Sequence, residues 1–240
     1  MGFDFINTRM KLKIYFAFIS IITIINCTTI GFHREGVRSR INFGEPANVK
    51  VCVIREKGVT KEEADELFSE WNKELKLYNI QVSLPKSIEM ERPGFFGGDI
   101  INYLLNLKLS KDCDRFLYLK GRTGGDIAFE IITLGIFAIS GLKLEVQGAV
   151  EVGTQTRGYI KAKYISLLQL LFTSPASTLI HEGYHLLGCG HQLFMDDCYM
   201  QIKKSKDLLS DKDTEKDFFP IITVNGNKFQ RREDVNRAIE

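Results

Sequence analysis

His181-Glu182-Gly183-Tyr184-His185-Leu186-Leu187-Gly188-Cys189-Gly190-His191 holds three of the four histidines of a 240-residue chain. His181 and His185 are four residues apart, which on a helix stacks both imidazoles on one face. Ser174 is placed to cap that helix and Pro175 to open it, because proline's missing N–H costs nothing in the first turn. Leu179, Ile180, Leu186 and Leu187 continue the apolar pattern to about residue 187. Gly188 then stops it, since a left-handed residue at a helix end costs little only for glycine. With Gly190 behind it, that turn lets His191 swing back towards the other two histidines.

Three imidazoles suit zinc, which takes four nitrogen or sulfur ligands and, in enzymes, keeps the fourth position open. Glu182 is offset from His181 by about 100° around the helix, so it borders a metal without binding it. A zinc with neutral ligands keeps its full charge and draws the pKa of its water towards ~7. Glu182 is then placed to accept that proton and return it to a leaving amine. The expected chemistry is metal-assisted hydrolysis, with His181, His185 and His191 as ligands and Glu182 as general base. Two histidines four apart say little, but the whole pattern arises by chance on the order of once in 10⁵ chains of this composition. The competing reading is a structural zinc site closed by Cys189 or Cys198, or histidines satisfied within a core.

Outward from the motif, the chain alternates between strand and helix patterns. Residues 48–55 and 115–120 read as strands. Thr60 and Glu63 form a capping box for a helix over residues 61–77, with Ala64, Leu67, Phe68, Trp71, Leu75 and Tyr78 on its core stripe. Residues 79–84 are a strand that Pro85 should end, and residues 86–114 a loop with one short helix. The glycines of residues 121–126 suggest a flexible turn, because the Gly-Lys-Ser/Thr ending of a phosphate loop is missing. Residues 127–142 are apolar but too short to span a bilayer, which leaves a buried segment or a rim loop. Residues 145–152 and 158–165 read as two further strands. Beyond the motif come a charged helix over residues 203–217, its charges on a solvated face, a hairpin turning at Asn225-Gly226, and a closing helix over 231–240.

HExxHxxGxxH is the signature of the metzincin zinc peptidases, and the chain resembles that clan. Asp197-Cys198-Tyr199-Met200 is similar to its Met-turn, with Met200 nine residues after His191, an interval similar to that of matrixins and archaemetzincins. The resemblance implies an α+β metzincin-like domain, a mixed twisted sheet with a backing helix and an active-site helix, and a small C-terminal subdomain. It implies an upper part over about residues 48–191 and a lower part over 192–240, with Met200 as a hydrophobic floor under the zinc. The strand at residues 145–152 would be the edge beside which an extended peptide lies. The implied function is a zinc endopeptidase acting on extended protein substrates. The alternative is a catalytically idle metzincin-like surface lipoprotein that binds a protein partner. Gln192, the lack of any cysteine after Cys198 and the lack of a tyrosine two residues past Met200 leave the subfamily open.

Residues 1–26 read as a signal peptide, with Lys11 and Lys13 before an apolar run over residues 14–25. Ile24-Ile25-Asn26-Cys27 resembles a bacterial lipobox, which implies export and a lipid anchor at Cys27, with residues 27–47 as linker. Lys+Arg is 32 and Asp+Glu 30, a net charge of +2. Removing residues 1–26 takes away Arg9, Lys11, Lys13 and Asp4 and leaves both signs balanced at 29 each. That balance argues against a nucleic-acid partner, and the domain is expected to act as a monomer. Lipid on Cys27 leaves Cys52, Cys113, Cys189 and Cys198, for which three connectivities exist. The favoured one joins Cys189 to Cys198, pinning the loop after the third ligand, and Cys52 to Cys113.

Overall fold

In the computed structural model, the described residues are 30–140, 146–163, 174–209, 222–224, 227–229 and 232–240. Residues 1–29, which carry the expected signal peptide and Cys27, lie outside them, as do residues 225–226 of the expected hairpin turn. The elements in chain order are α1 (Glu35–Arg38), β1 (Ala47–Glu56), α2 (Lys61–Leu75), β2 (Ile80–Met90), α3 (Gly97–Leu105), β3 (Arg115–Lys120) and α4 (Gly124–Ser140). They continue with β4 (Gly148–Val150), β5 (Arg157–Lys161), α5 (Pro175–Leu186), α6 (Asp196–Leu209), β6 (Ile222–Val224), β7 (Asn227–Phe229) and α7 (Arg232–Ile239). The fold class is α+β. A five-stranded mixed sheet runs β2-β1-β3-β5-β4, its first four strands parallel and β4 antiparallel at the edge. No helix among the described residues is long and apolar enough to cross a membrane.

Strand alternation builds a core on each face of the sheet. Val49, Val51, Val53, Leu117, Leu119 and Ile160 point to one side, where they meet Leu67, Phe68, Trp71 and Leu75 of α2 and Leu179, Tyr184 and Leu186 of α5. Ile54, Tyr118 and Tyr159 point to the other, against Ile100 and Leu104 of α3. Cys52 and Cys113 pack there too, beneath Val235 of α7. The Thr60–Glu63 capping box opens α2. Two buried arginines close helix ends: Arg115 Nε donates to the Leu186 carbonyl at the end of α5, and Arg157 donates to the carbonyls of Leu104, in the last turn of α3, and Leu107, just past it.

Several expectations are corrected. Pro85 does not end β2, which runs to Met90. The register against β1 slips between Lys50–Ser83 and Cys52–Lys86, so Pro85 sits in a bulge of an outer strand, where its missing N–H breaks no ladder. The glycine-rich stretch before α4 is fixed in place. Gly121 N–H donates to Glu56, Thr123 N–H donates to the Asp126 carboxylate, and Arg92 bridges the buried carboxylates of Glu56 and Asp126. The apolar run that follows is helical up to Ser140 rather than a loop, and Ile127, Ile131 and Ile132 in its first half are exposed. The charged helix begins seven residues early, at Asp196, and Lys206 on it is buried, donating to the Tyr78 and Asn79 carbonyls. Met195, Cys198, Tyr199 and Ile202 join the main core, as do Ile30 and Phe43 from the stretch expected to be a linker.

Candidate metal centre

Helix α5 starts as its sequence directs, with Ser174 accepting the Ser177 N–H and Pro175 in the first turn. Gly183 lets α5 lie flush on α2: a Cβ there would fall 2.6 Å from Cζ2 of Trp71. At the other end Gly188 takes φ +90°, the left-handed turn that redirects the chain. Those features aim His181, His185 and, after the turn, His191 at one point. One ring nitrogen from each lies within 4.8 Å of the others.

The donor set fits a metal ion. His185 Nδ1 sits 2.8 Å from the Cys189 carbonyl, so Nδ1 carries the proton and Nε2 offers its lone pair inward. Burial holds the His185 imidazole below its ordinary pKa, which favours the neutral, ligating form. His185 Nε2 and His191 Nε2 are 3.2 Å apart. Two nitrogens bound at about 2.0–2.1 Å to a tetrahedral ion stand about 3.3–3.4 Å from each other, so this pair is already at ligation spacing.

Glu182 follows the first histidine and is 7% exposed. Burial pushes its carboxyl up to about 7, and a cation on the neighbouring imidazoles would draw it back down. The edge strand lies directly above it. A Cβ on Gly148 of β4 would come 2.7 Å from Glu182 Cγ. Only glycine lets the strand settle so close. β4 bonds β5 on one side, and among the described residues no strand pairs with its other side.

Disulfides join Cys189 to Cys198 and Cys52 to Cys113. The first ties the loop carrying His191 to helix α6. Met200 is not a floor. It lies on α6, 56% exposed, because Asp196 and Asp197 start a helix where a turn was expected. The buried methionine of this segment is Met195, 1% exposed. The sequence reading missed it because spacing alone selected Met200.

It also missed the N-terminal segment. His33 belongs to a partly buried hydrogen-bond network rather than to a linker. Arg34 N–H donates to the Tyr199 hydroxyl, which lies 2.9 Å from His33 Nδ1, and His33 Nε2 is 3.2 Å from Glu74. Tyr184, inside the HExxH stretch, donates to the same Glu74 and sits 2.8 Å from the Tyr78 hydroxyl. No local pattern in residues 30–34 points to a partner more than 150 residues away. No protein-family model matches the chain, and no curated protein matches it.

Proposed function

We propose that this chain is a zinc-dependent endopeptidase of the metzincin kind, exported and held to a bacterial membrane by lipid on Cys27. The observation that carries the reading is the convergence of three imidazoles beside a buried glutamate, directly under a sheet edge that pairs with no other strand among the described residues. A zinc ion held by His181, His185 and His191 would polarise a scissile carbonyl and acidify a water molecule. The outer edge of β4, which pairs with no described strand, would take an extended polypeptide as a further strand of the sheet. That register brings a peptide bond over Glu182. Its carboxylate accepts a proton from the attacking water and delivers it to the amine nitrogen as the C–N bond breaks. Met200 has no part in this reading.

The test is cleavage of a peptide library by the purified protein, with bound zinc measured alongside, for wild type and Glu182→Ala. The expected result is stoichiometric zinc in both and a loss of roughly 10²–10⁴-fold in turnover for the variant. If zinc-loaded wild type cleaves nothing that the variant does not, the site serves binding rather than hydrolysis. Cys27→Ser should release the protein from the membrane fraction, and unchanged fractionation would sink the lipid anchor.

A further inference from the structure

Residues 30–34 are pinned to the loop that follows His191. The Ile30 carbonyl accepts the Gln192 N–H, Phe32 N–H donates to the Leu193 carbonyl, and Met195 N–H donates to the Phe32 carbonyl. Gly31 is pressed so close that a Cβ would lie 2.5 Å from the Gln192 oxygen. Phe32 and Phe194 pair as a parallel bridge, so their rings leave on the same side. Both are 45% exposed, and Leu193 beside them is 67% exposed. The Arg34 guanidinium stands 5.4 Å from the Phe194 ring centre. Backbone bonds on both strands of this bridge hold three large apolar side chains out in solvent.

Single exposed apolar residues are ordinary. These are set apart by their place in the chain. The apolar run over residues 14–25 ends five residues before buried Ile30, and Cys27 lies three before it. A residue spans at most about 3.3–3.6 Å, so Cys27 is within about 11 Å of Ile30 along the chain. On the proposed tether, with the run in the bilayer or removed and Cys27 acylated, only residues 28 and 29 would lie between Cys27 and the described domain. A long tether would leave its orientation free. This one turns the face around Ile30 towards the lipid.

We propose that Phe32, Leu193 and Phe194 dock on the bilayer surface, entering the headgroup region beside the anchor and holding the His191 side of the histidine cluster against the membrane. The side chains add apolar burial to the anchor and fix its angle. Leu193 is two residues from His191, so the cluster opens close to the lipid. On the peptidase reading, the substrates within reach are membrane-proximal segments of other tethered proteins. The docking rests on the tether proposed above, and that last step on the peptidase reading as well.

The experiment uses full-length protein taken from its membranes and reconstituted into phosphatidylethanolamine–phosphatidylglycerol vesicles. An environment-sensitive fluorophore is placed at Leu193→Cys, at Phe194→Cys, or at Glu62→Cys as a control. Glu62 lies about 18 Å along α2 from Glu74, the residue that meets His33. Lipids carrying spin-label quenchers should remove more than about half the emission at 193 and 194 and little at 62. Equal quenching at all three sites, or none at 193 and 194 in protein that still sediments with vesicles, overturns the docking and leaves the anchor standing. Protein that does not sediment overturns both. A blue shift at 193 that follows protein concentration without lipid quenching assigns the face to a second copy and overturns the proposal. None of these readings depends on turnover, so a failed peptidase assay does not decide them.

Discussion

Gly148 of the edge strand rests on Glu182: an added Cβ would stand 2.7 Å from Glu182 Cγ, 3.0 Å from Thr178 Cγ2 and 3.0 Å from the Tyr159 carbonyl. The last of these is backbone and cannot give way. Gly148→Ala should therefore lift β4 or displace Glu182, at about 1–3 kcal/mol of overpacking. On the peptidase reading, turnover falls at least tenfold while bound zinc stays stoichiometric. Thermal melting, zinc analysis and a cleavage assay on one preparation check it. Full activity at an unchanged Tm would show that the strand does not need to sit so low.

Gly183 tests the other side of the same helix. Its Cβ would enter the indole of Trp71, which is fully buried and the chain's only tryptophan. Gly183→Ala should cost about 1–3 kcal/mol by pushing α5 off α2, against a gain of up to about 1 kcal/mol from helix propensity. Trp71 fluorescence reports the loss directly as a lower denaturant midpoint. A stabilised variant would show that propensity wins and that the indole can move aside.

A metal held only by the folded state adds about 4 kcal/mol at a thousandfold excess over its Kd. For a domain of this size, stripping the metal with a chelator should lower Tm by roughly 10 °C. His191→Ala should start lower and show no further response. Wild type purified with zinc but indifferent to the chelator would place the ion elsewhere.

The histidine cluster was legible because helix periodicity and one glycine turn fix it locally. Ser174, Pro175, His181, His185 and Gly188 all act within a few residues of one another. The strand patterns of residues 48–55 and 115–120 were legible for the same reason. What the sequence concealed depends on distant partners. Pro85 continues a strand because β2 bulges there against β1, and residues 30–34 are structural because of residues 192–199. Met200 was misread because its setting is decided by where α6 begins, and the acidic start of that helix competes with the expected turn.

Cys189 and Cys198 bridge a short loop that contains His191. Closing a loop of about ten residues is worth about 2–3 kcal/mol of unfolded-chain entropy. Cys198→Ser should cost most of that and free the third ligand's loop. Zinc affinity should fall by more than the two-histidine affinity of His191→Ala would predict only if His181 and His185 also shift. The expected result is intermediate affinity, between wild type and His191→Ala, measured by competition with a chromogenic chelator. Affinity equal to wild type would mean that residues 30–34 hold the loop unaided.

Glu74 ties those residues to the site's helix and yields a prediction in pH. Burial alone would raise its carboxyl, but the bonds from His33 and Tyr184 together outweigh burial and hold it below its ordinary 4.5. The unfolded chain therefore binds the proton more readily. The stabilisation is complete above pH 4.5 and is lost as pH falls through the folded-state value. Other carboxylates also respond to acid, so the informative quantity is the difference between wild type and Glu74→Gln. Urea midpoints should differ by a constant gap from pH 7 to pH 5, and the gap should close below pH 4.5. A gap that persists unchanged at pH 3.5 would mean that the carboxylate's charge contributes nothing. The hydroxyls of Tyr184 and Tyr199 meet this carboxylate from α5 and, through His33, from α6. Its protonation should therefore loosen the attachment of residues 30–34, and with it the loop that carries His191, before the sheet itself unfolds.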